Sequence, residues 1–133
     1  MSKSRVVDNG DGTVTDTSSG LMWQKEDPGE MTYEAAISFC NSLDLAGHSD
    51  WRLASIEELL SLANLGPNLL KEFFPGLIED RYWALTSEGE LAWAEDPGRI
   101  AYTVDFDPGS GNYKHPTTYF RTYSYNVRAV RRQ

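Results

Sequence analysis

A chain of 133 residues is the size of one domain, residues 1–133 taken together, and is long enough to bury about two-thirds of its unfolded surface without disulfide or metal staples. Its 40% hydrophobic and 12% aromatic content is that of a folded globular protein, and a net charge of −8 repels a phosphate backbone, which argues against nucleic acid as a partner. No apolar run approaches the roughly 20 residues of a membrane helix, and the opening MSKSRVVDNG lacks the apolar core of a signal peptide, so a soluble chain without membrane insertion is expected.

Residues 5–8 and 13–16 flank NGDG, whose glycines and Asn/Asp supply the positive backbone angles of a tight β-hairpin. The carboxylates between Asp8 and Asp16 invite a calcium reading. Aligning Gly12 to the glycine of an EF-hand loop, however, puts Val7 at the first ligand position and Ser18 where the bidentate Glu belongs, leaving at most a weak site. No metal and no cofactor are expected. Thr32 is placed to cap a helix carrying Ala36, Phe39, Cys40 and Leu43 and ending at Gly47. The lone Cys40, among Ile37, Phe39 and Leu43, reads as an inert buried thiol. Ser55 and Glu58 form a capping box for a second helix, with Ile56, Leu59, Leu60 and Ala63 on its apolar face and Gly66-Pro67 as its stop. The adjacent Glu57 and Glu58 read as capping or solvent-facing groups, and Asp50 with Arg52 as a local pair fixing the preceding turn.

After a connecting turn around Pro75 the pattern changes to strands at residues 82–86, 91–94, 100–106, 118–123 and 127–131. Ile100, Tyr102, Val104 and Phe106 alternate, so that face is expected to meet the core while Ala101, Thr103 and Asp105 face away. Asp-Pro-Gly at 27–29, 96–98 and 107–109 marks turns. Early helices and late strands without β-α alternation give an α+β fold: an N-terminal hairpin, two helices, then antiparallel strands.

The charge is unevenly placed. Residues 1–107 carry 7 basic and all 20 acidic side chains, whereas residues 108–133 carry 5 basic and none acidic. Lys114, Arg121, Arg128, Arg131 and Arg132, with His115, form a cationic stripe in sequence, suited either to an anionic partner or to neutralising acidic neighbours in the fold. Tyr113, Tyr119, Tyr123 and Tyr125 lie in the same stretch among Ser, Thr, Gly and Asn, the composition of a paratope. The same tyrosines also suit an ordinary antiparallel strand. Trp23, Trp51 and Trp83 have apolar neighbours and read as core anchors, whereas Trp93, between two turns, is placed to edge a groove.

Four tryptophan-centred strings, GLMWQ, AGHSDWRL, RYWALTS and LAWAE, occur in a fixed order after DNGDGTVTD and before TVDF and NVRAVR. In this combination the chain resembles the Lcl C-terminal-domain-like family, over about residues 7–131. The resemblance implies a C-type-lectin-like fold that binds a ligand, often a glycan, at a cell surface, and exported relatives. It also implies variable receptors diversified in the C-terminal segment. The E-P-N or Q-P-D and W-N-D strings of calcium-dependent sugar binding are missing, so any glycan would be held without that metal. The formylglycine-generating oxidases of the same superfamily use a cysteine pair, which one Cys cannot supply.

No G-x-S-x-G, H-E-x-x-H, Walker or dinucleotide string occurs, and neither His48 nor His115 lies in a nucleophile motif. The expectation is a non-enzymatic module that recognises an anionic glycan, such as a glycosaminoglycan, or a protein surface. Its candidate ligand-binding residues are Trp93, Tyr113, Lys114, His115, Tyr119, Arg121, Tyr123 and Tyr125. The alternative is a structural module of an oligomeric surface or phage-fibre protein, with a homo-oligomer as partner.

Overall fold

Two glycines with positive φ, Gly10 at 77° and Gly12 at 92°, turn the chain between β1 (Val6–Asp8) and β2 (Thr13–Asp16) in a computed structural model that describes residues 5–133. The two strands form the expected hairpin, with Val6 opposite Asp16 and Asp8 opposite Val14. The acidic residues of this hairpin serve the turn itself. Asp8 accepts the Gly10 N–H and the Lys25 ammonium, and Asp11 accepts the Thr13 N–H and hydroxyl. Among the described residues no group of three or more His, Cys, Asp or Glu side chains is disposed to hold a metal ion.

The chain continues through β3 (Leu21–Gln24), β4 (Glu30–Met31), α1 (Tyr33–Asn41), β5 (Arg52–Leu53), α2 (Ile56–Ala63), α3 (Pro67–Phe73) and β6 (Arg81–Trp83). It closes with β7 (Ile100–Asp105), β8 (Pro116–Phe120), β9 (Tyr125–Asn126) and β10 (Ala129–Arg132). The first sheet has the order β1-β2-β3-β10-β5 and the second β4-β9-β6-β7-β8. All pairings are antiparallel except the short parallel contact of β6 with β9. This is an α+β fold, but the last strand returns beside the third, so strands are not confined to the second half of the chain.

Both expected helix starts are present, because each depends on groups three residues apart. Thr32 accepts the Ala35 N–H, and Ser55 and Glu58 satisfy each other's backbone N–H in a full capping box. The expected ends differ. Helix α1 stops at Asn41 rather than near Gly47, where the Ser42 hydroxyl donates back to the Ser38 carbonyl and the chain turns through Ala46 and Gly47, both with positive φ. Pro67 does not simply end α2: it opens α3, since a proline lacks only an N–H that the first helical turn leaves unpaired. The strand expected at residues 91–94 is instead a 3-10 turn at Gly89–Leu91, which buries Leu91 and leaves Trp93 outside.

Two hydrophobic clusters lie on opposite sides of the central strands. The first joins Val14, Leu21, Trp23 and Val130 to Leu59, Leu62, Leu70 and Phe74 of the helical layer and to Tyr82, Val104 and Phe106. The second joins Tyr33, Ala36 and Cys40 of α1 to Trp51, Leu53, Trp83, Ala101, Val127 and Ala129. Strand β7 runs between them, so Ala101, Thr103 and Asp105, expected to face away, are buried against the second cluster's side. Trp23, Trp51 and Trp83 are core residues as expected. Burial pushes the Cys40 thiol up to about 12, leaving it protonated and unreactive at neutral pH.

The expected Asp50–Arg52 pair does not form. Arg52 makes a two-pronged ion pair with the capping Glu58 (2.7 and 2.6 Å), and Asp50 takes Arg131 (2.6 and 3.2 Å). The most buried charge is Arg128, 1% exposed. It donates to the carbonyls of Gln24 and Lys25 (2.7 Å each) and to Asp27 (3.2 Å), with Phe74 and Tyr82 rings 5.0 and 5.8 Å from its guanidinium. Asp27 also accepts the Tyr82 hydroxyl.

Removing one partner of such a pair strands the other in a dry interior. Arg128→Met is expected to cost about 3–5 kcal/mol in urea unfolding. The Glu58 carboxyl is raised by burial, but the Arg52 and Ser55 hydrogen bonds outweigh burial and hold it below its ordinary value of 4.5. Its folded pKa is therefore depressed, and its stabilisation is complete above 4.5 and lost as pH falls through the lower folded value. Unfolding midpoints measured across that acid range should fall less steeply in Glu58→Gln than in the parent chain.

Candidate functional site

Strand β8 is an edge of the second sheet, and the expected site residues divide between its two ends. Tyr113, Lys114 and His115 precede it; Arg121 and Tyr123 follow it. Five residues of strand, roughly 16 Å, stand between the two groups. They do not form one surface. Nor does the cationic stripe of the sequence survive folding: Arg128 is interior, Arg131 pairs with Asp50, and Arg121 reaches Glu34.

Tyr119, Tyr123 and Tyr125 come together. Tyr119 and Tyr125 ring centroids lie 5.1 Å apart, and Tyr123 stands 6.5 Å from each. Tyr125 meets Trp83 edge-on at 5.3 Å, and Trp83 meets Tyr33 at 5.5 Å, so the cluster is the rim of the second core. Arg81 lies over the Tyr119 ring (4.8 Å) and 3.7 Å from Asp105. Burial, with Tyr119 beside it, raises the Tyr125 phenol. Tyr119 and Tyr125 are half-buried walls, and Tyr123, 49% exposed, is the ring that reaches solvent.

A groove of about 470 Å³ opens at this end, between the start of α1, the Pro97–Arg99 turn and the end of β8. Its lining includes Thr32, Glu34, Arg99, Phe120, Arg121 and Thr122. Arg121 is fixed by three contacts: Nε donates to the Ile100 carbonyl (3.0 Å), Nη1 to Glu34 (3.1 Å), and the guanidinium lies 4.8 Å from the Tyr33 centroid. Its backbone is held too, donating to Arg99 and accepting from Tyr33. Arg99 is looser, 5.7 Å from the Phe120 centroid and 3.8 Å from Asp96 in a solvent-exposed pair. Phe120 is 47% exposed. A second hollow of about 270 Å³, reaching Thr86, Glu88 and Leu91, shares Gly98 and Arg121 with the groove.

The geometry therefore offers two guanidinium groups, a rigid one over the buried Tyr33 ring and an adjustable one beside the exposed Phe120 ring. That arrangement can grip a carboxylate or sulfate by paired N–H donors and stack on an apolar ring face. Sequence reasoning found Arg121, Tyr119, Tyr123 and Tyr125 but missed Arg99, Phe120, Thr32 and Glu34. Arg99 follows an Asp-Pro-Gly turn, and Phe120 points to the face opposite Tyr119, so only the turn and the alternation hinted at them. Trp93 is 64% exposed and donates its indole N–H to the Glu90 carbonyl and the Tyr102 hydroxyl, both at 3.1 Å.

At the other end of β8, Lys114 adopts φ 61° and reaches Asn64 (3.1 Å), while His115 is exposed. Tyr113 lines an apolar pocket of about 380 Å³ with Leu70, Phe74, Leu77 and Phe106, and its buried hydroxyl has no partner among the described residues. A larger cleft of about 810 Å³ lies beside the hairpin turn, but Asp8 and Asp27 in its wall are already paired with Lys25 and Arg128.

The model of the Lcl C-terminal domain matches residues 12–131, from the hairpin turn to β10. The chain belongs to the Lcl C-terminal domain family. No curated protein matches it. In this Lcl C-terminal domain the matched segment contains the groove, the tyrosine rim and the three tryptophans that brace the two cores. The fourth, Trp93, is the one open to water. Acrylamide should quench a fraction of the tryptophan emission in the parent chain, and Trp93→Phe should remove that fraction while leaving the shielded emission of Trp23, Trp51 and Trp83.

Proposed function

We propose that the chain is a non-enzymatic binding module of C-type-lectin-like kind, which takes an anionic glycan in the groove between α1, the Pro97–Arg99 turn and β8. The observation that carries this reading is the pairing of Arg121 and Arg99 with Tyr33 and Phe120 at one open groove. Two hydrogen bonds and the Tyr33 ring hold Arg121 in place before any ligand arrives. Tyr123, the exposed ring beside the groove, supplies a flat face for sugar C–H groups. Glu34 opposes the site's charge, so a sulfate or carboxylate has to compete with it for Arg121; this favours a ligand carrying several anionic groups.

These groups hold and orient. None of the groove residues named here is a histidine or cysteine poised for proton transfer or nucleophilic attack, and the reading assigns them no bond-making step.

Binding to a sulfated oligosaccharide, followed by calorimetry at low salt, should weaken about tenfold or more in Arg99→Ala and in Arg121→Lys. Loss of a charge-assisted hydrogen bond is worth roughly 1.5–3 kcal/mol. Added salt should weaken it further. Lys114→Ala, at the far end of β8, should leave it unchanged; equal losses in Lys114→Ala would move the site, and no binding to any sulfated or carboxylated glycan would discard it. Binding of an acidic protein with the same arginine dependence would reassign the ligand from glycan to protein surface.

A further inference from the structure

The free side of β8 carries a hydrogen-bonding pattern that fits a second copy of itself. The Arg121 N–H donates to the Arg99 carbonyl (2.9 Å), and the register pairs Tyr119 with Ala101 and Thr117 with Thr103. In an antiparallel ladder the bonded and non-bonded pairs alternate, so the odd residues of β8 bond to β7 and the even residues point their backbone groups away from it. Those even residues are Pro116, Thr118 and Phe120. No further strand lies beyond them among the described residues.

Four backbone groups face outward without a partner among the described residues: the carbonyls of Pro116 and Thr118 and the N–H groups of Thr118 and Phe120. The two groups that would complete the set are both accounted for. Pro116 has no N–H, and the Phe120 carbonyl already accepts the Tyr123 N–H (3.0 Å). We propose that β8 pairs antiparallel with β8 of a second copy about a two-fold axis at Thr118. Each Thr118 then exchanges both backbone bonds with its mate, and each Phe120 N–H meets a Pro116 carbonyl. The donor that proline lacks falls opposite the acceptor that Phe120 has already used, so the pairing leaves no backbone group stranded. An arbitrary peptide strand placed on this edge would offer a carbonyl opposite Pro116 that finds no donor.

The side chains agree with this occupant. PTTYF contains no charge, although exposed edges are commonly guarded by lysine or other charged residues. In the pair, Phe120, half in water in the single chain, lies directly across from the partner's Pro116, and Tyr119 lies across from Thr117. The contact is isologous and closes on itself. It is also small beside the about 1,200–2,000 Å² of a standard interface, so the association is weak and depends on concentration. This inference is independent of the glycan reading, because it rests on the backbone of the edge and is measured without any ligand.

Sedimentation equilibrium of the whole chain, raised towards millimolar concentration, should show the mass climbing from 15.0 kDa towards twice that value. Thr118→Pro removes only an outward N–H, which an edge strand tolerates, and Thr118→Lys places a charge at the axis. Both are expected to stay folded by circular dichroism and to weaken the association at least tenfold. Amide exchange at Thr118 and Phe120 should slow as the parent chain is concentrated, while exchange at Ala101 and Thr103, already bonded in the ladder, stays constant. A parent chain that remains at monomer mass up to millimolar concentration overturns the proposal. So does a dimer that Thr118→Lys forms as readily as the parent, or one whose Thr118 amide exchanges unchanged. An extended peptide that binds the edge of a chain that never pairs with itself overturns it in favour of a strand-donating partner.

Discussion

A buried positive charge organises this structure. The Arg128 guanidinium has almost no contact with water, and removing such a group from solvent costs several kcal/mol unless acceptors replace the water it loses. Here the replacements are two backbone carbonyls at Gln24 and Lys25, the Asp27 carboxylate and the faces of Phe74 and Tyr82. These partners come from residues 24–27 at and after the end of β3, from the C-terminal end of α3 and from β6. Holding one side chain therefore requires three separate segments to be in place together. Because Asp27 also accepts from Tyr82, the same carboxylate ties the first sheet's loop to the middle of the second sheet.

That constraint reaches the candidate site through short steps. Arg128 sits between β9 and β10, so anchoring it fixes where β9 crosses the second sheet. Asn126 then donates its side-chain N–H to the Arg81 carbonyl (3.0 Å), and Tyr125 is set against Trp83 and Tyr119. The Tyr123 ring and the Arg121 guanidinium follow from the short turn that joins β8 to β9. A solvent-facing surface is thus held by an interior salt bridge with which it shares no direct contact. Three of the five C-terminal cations pair with Asp27, Asp50 and Glu34, and of these only Arg121, beside Arg99 of the preceding turn, also faces an open groove.

Features encoded within a few residues could be read from the sequence, and features encoded across the chain could not. The hairpin, the Thr32 cap and the Ser55–Glu58 box depend on neighbours at most about ten residues apart, and all three appear as expected. The α+β class and the three core tryptophans followed from apolar patterning. In contrast, Arg128–Asp27 spans 101 positions and Arg131–Asp50 spans 81, and no local pattern distinguishes these arginines from Arg121. The alternation in β7 misled for a related reason. With one core on each side, Ala101 and Thr103 are as buried as Val104, and a small residue on an inner face carries no hydropathy signal. The apolar run around Leu91 and Trp93 fits a strand or a tight turn equally well in sequence; burial of Leu91 alone decides for the turn.

The groove and the free edge share β8, and this gives their arrangement a physical logic. An arginine near water contributes little on its own, since solvent and salt screen it and Glu34 already competes for Arg121. A polyanionic chain meets that difficulty best when it can engage several such groups at once, because each further contact is made at the high effective concentration set by the first. Pairing at Thr118 would set two grooves at fixed spacing and opposite direction along one continuous sheet, with Phe120 covered and Arg99 and Arg121 left at either end. In such a pair the uncharged edge between them would have a reason to lack the guarding lysine that an isolated strand needs: it would meet its own copy, with the positive charge kept for the positions on either side of it.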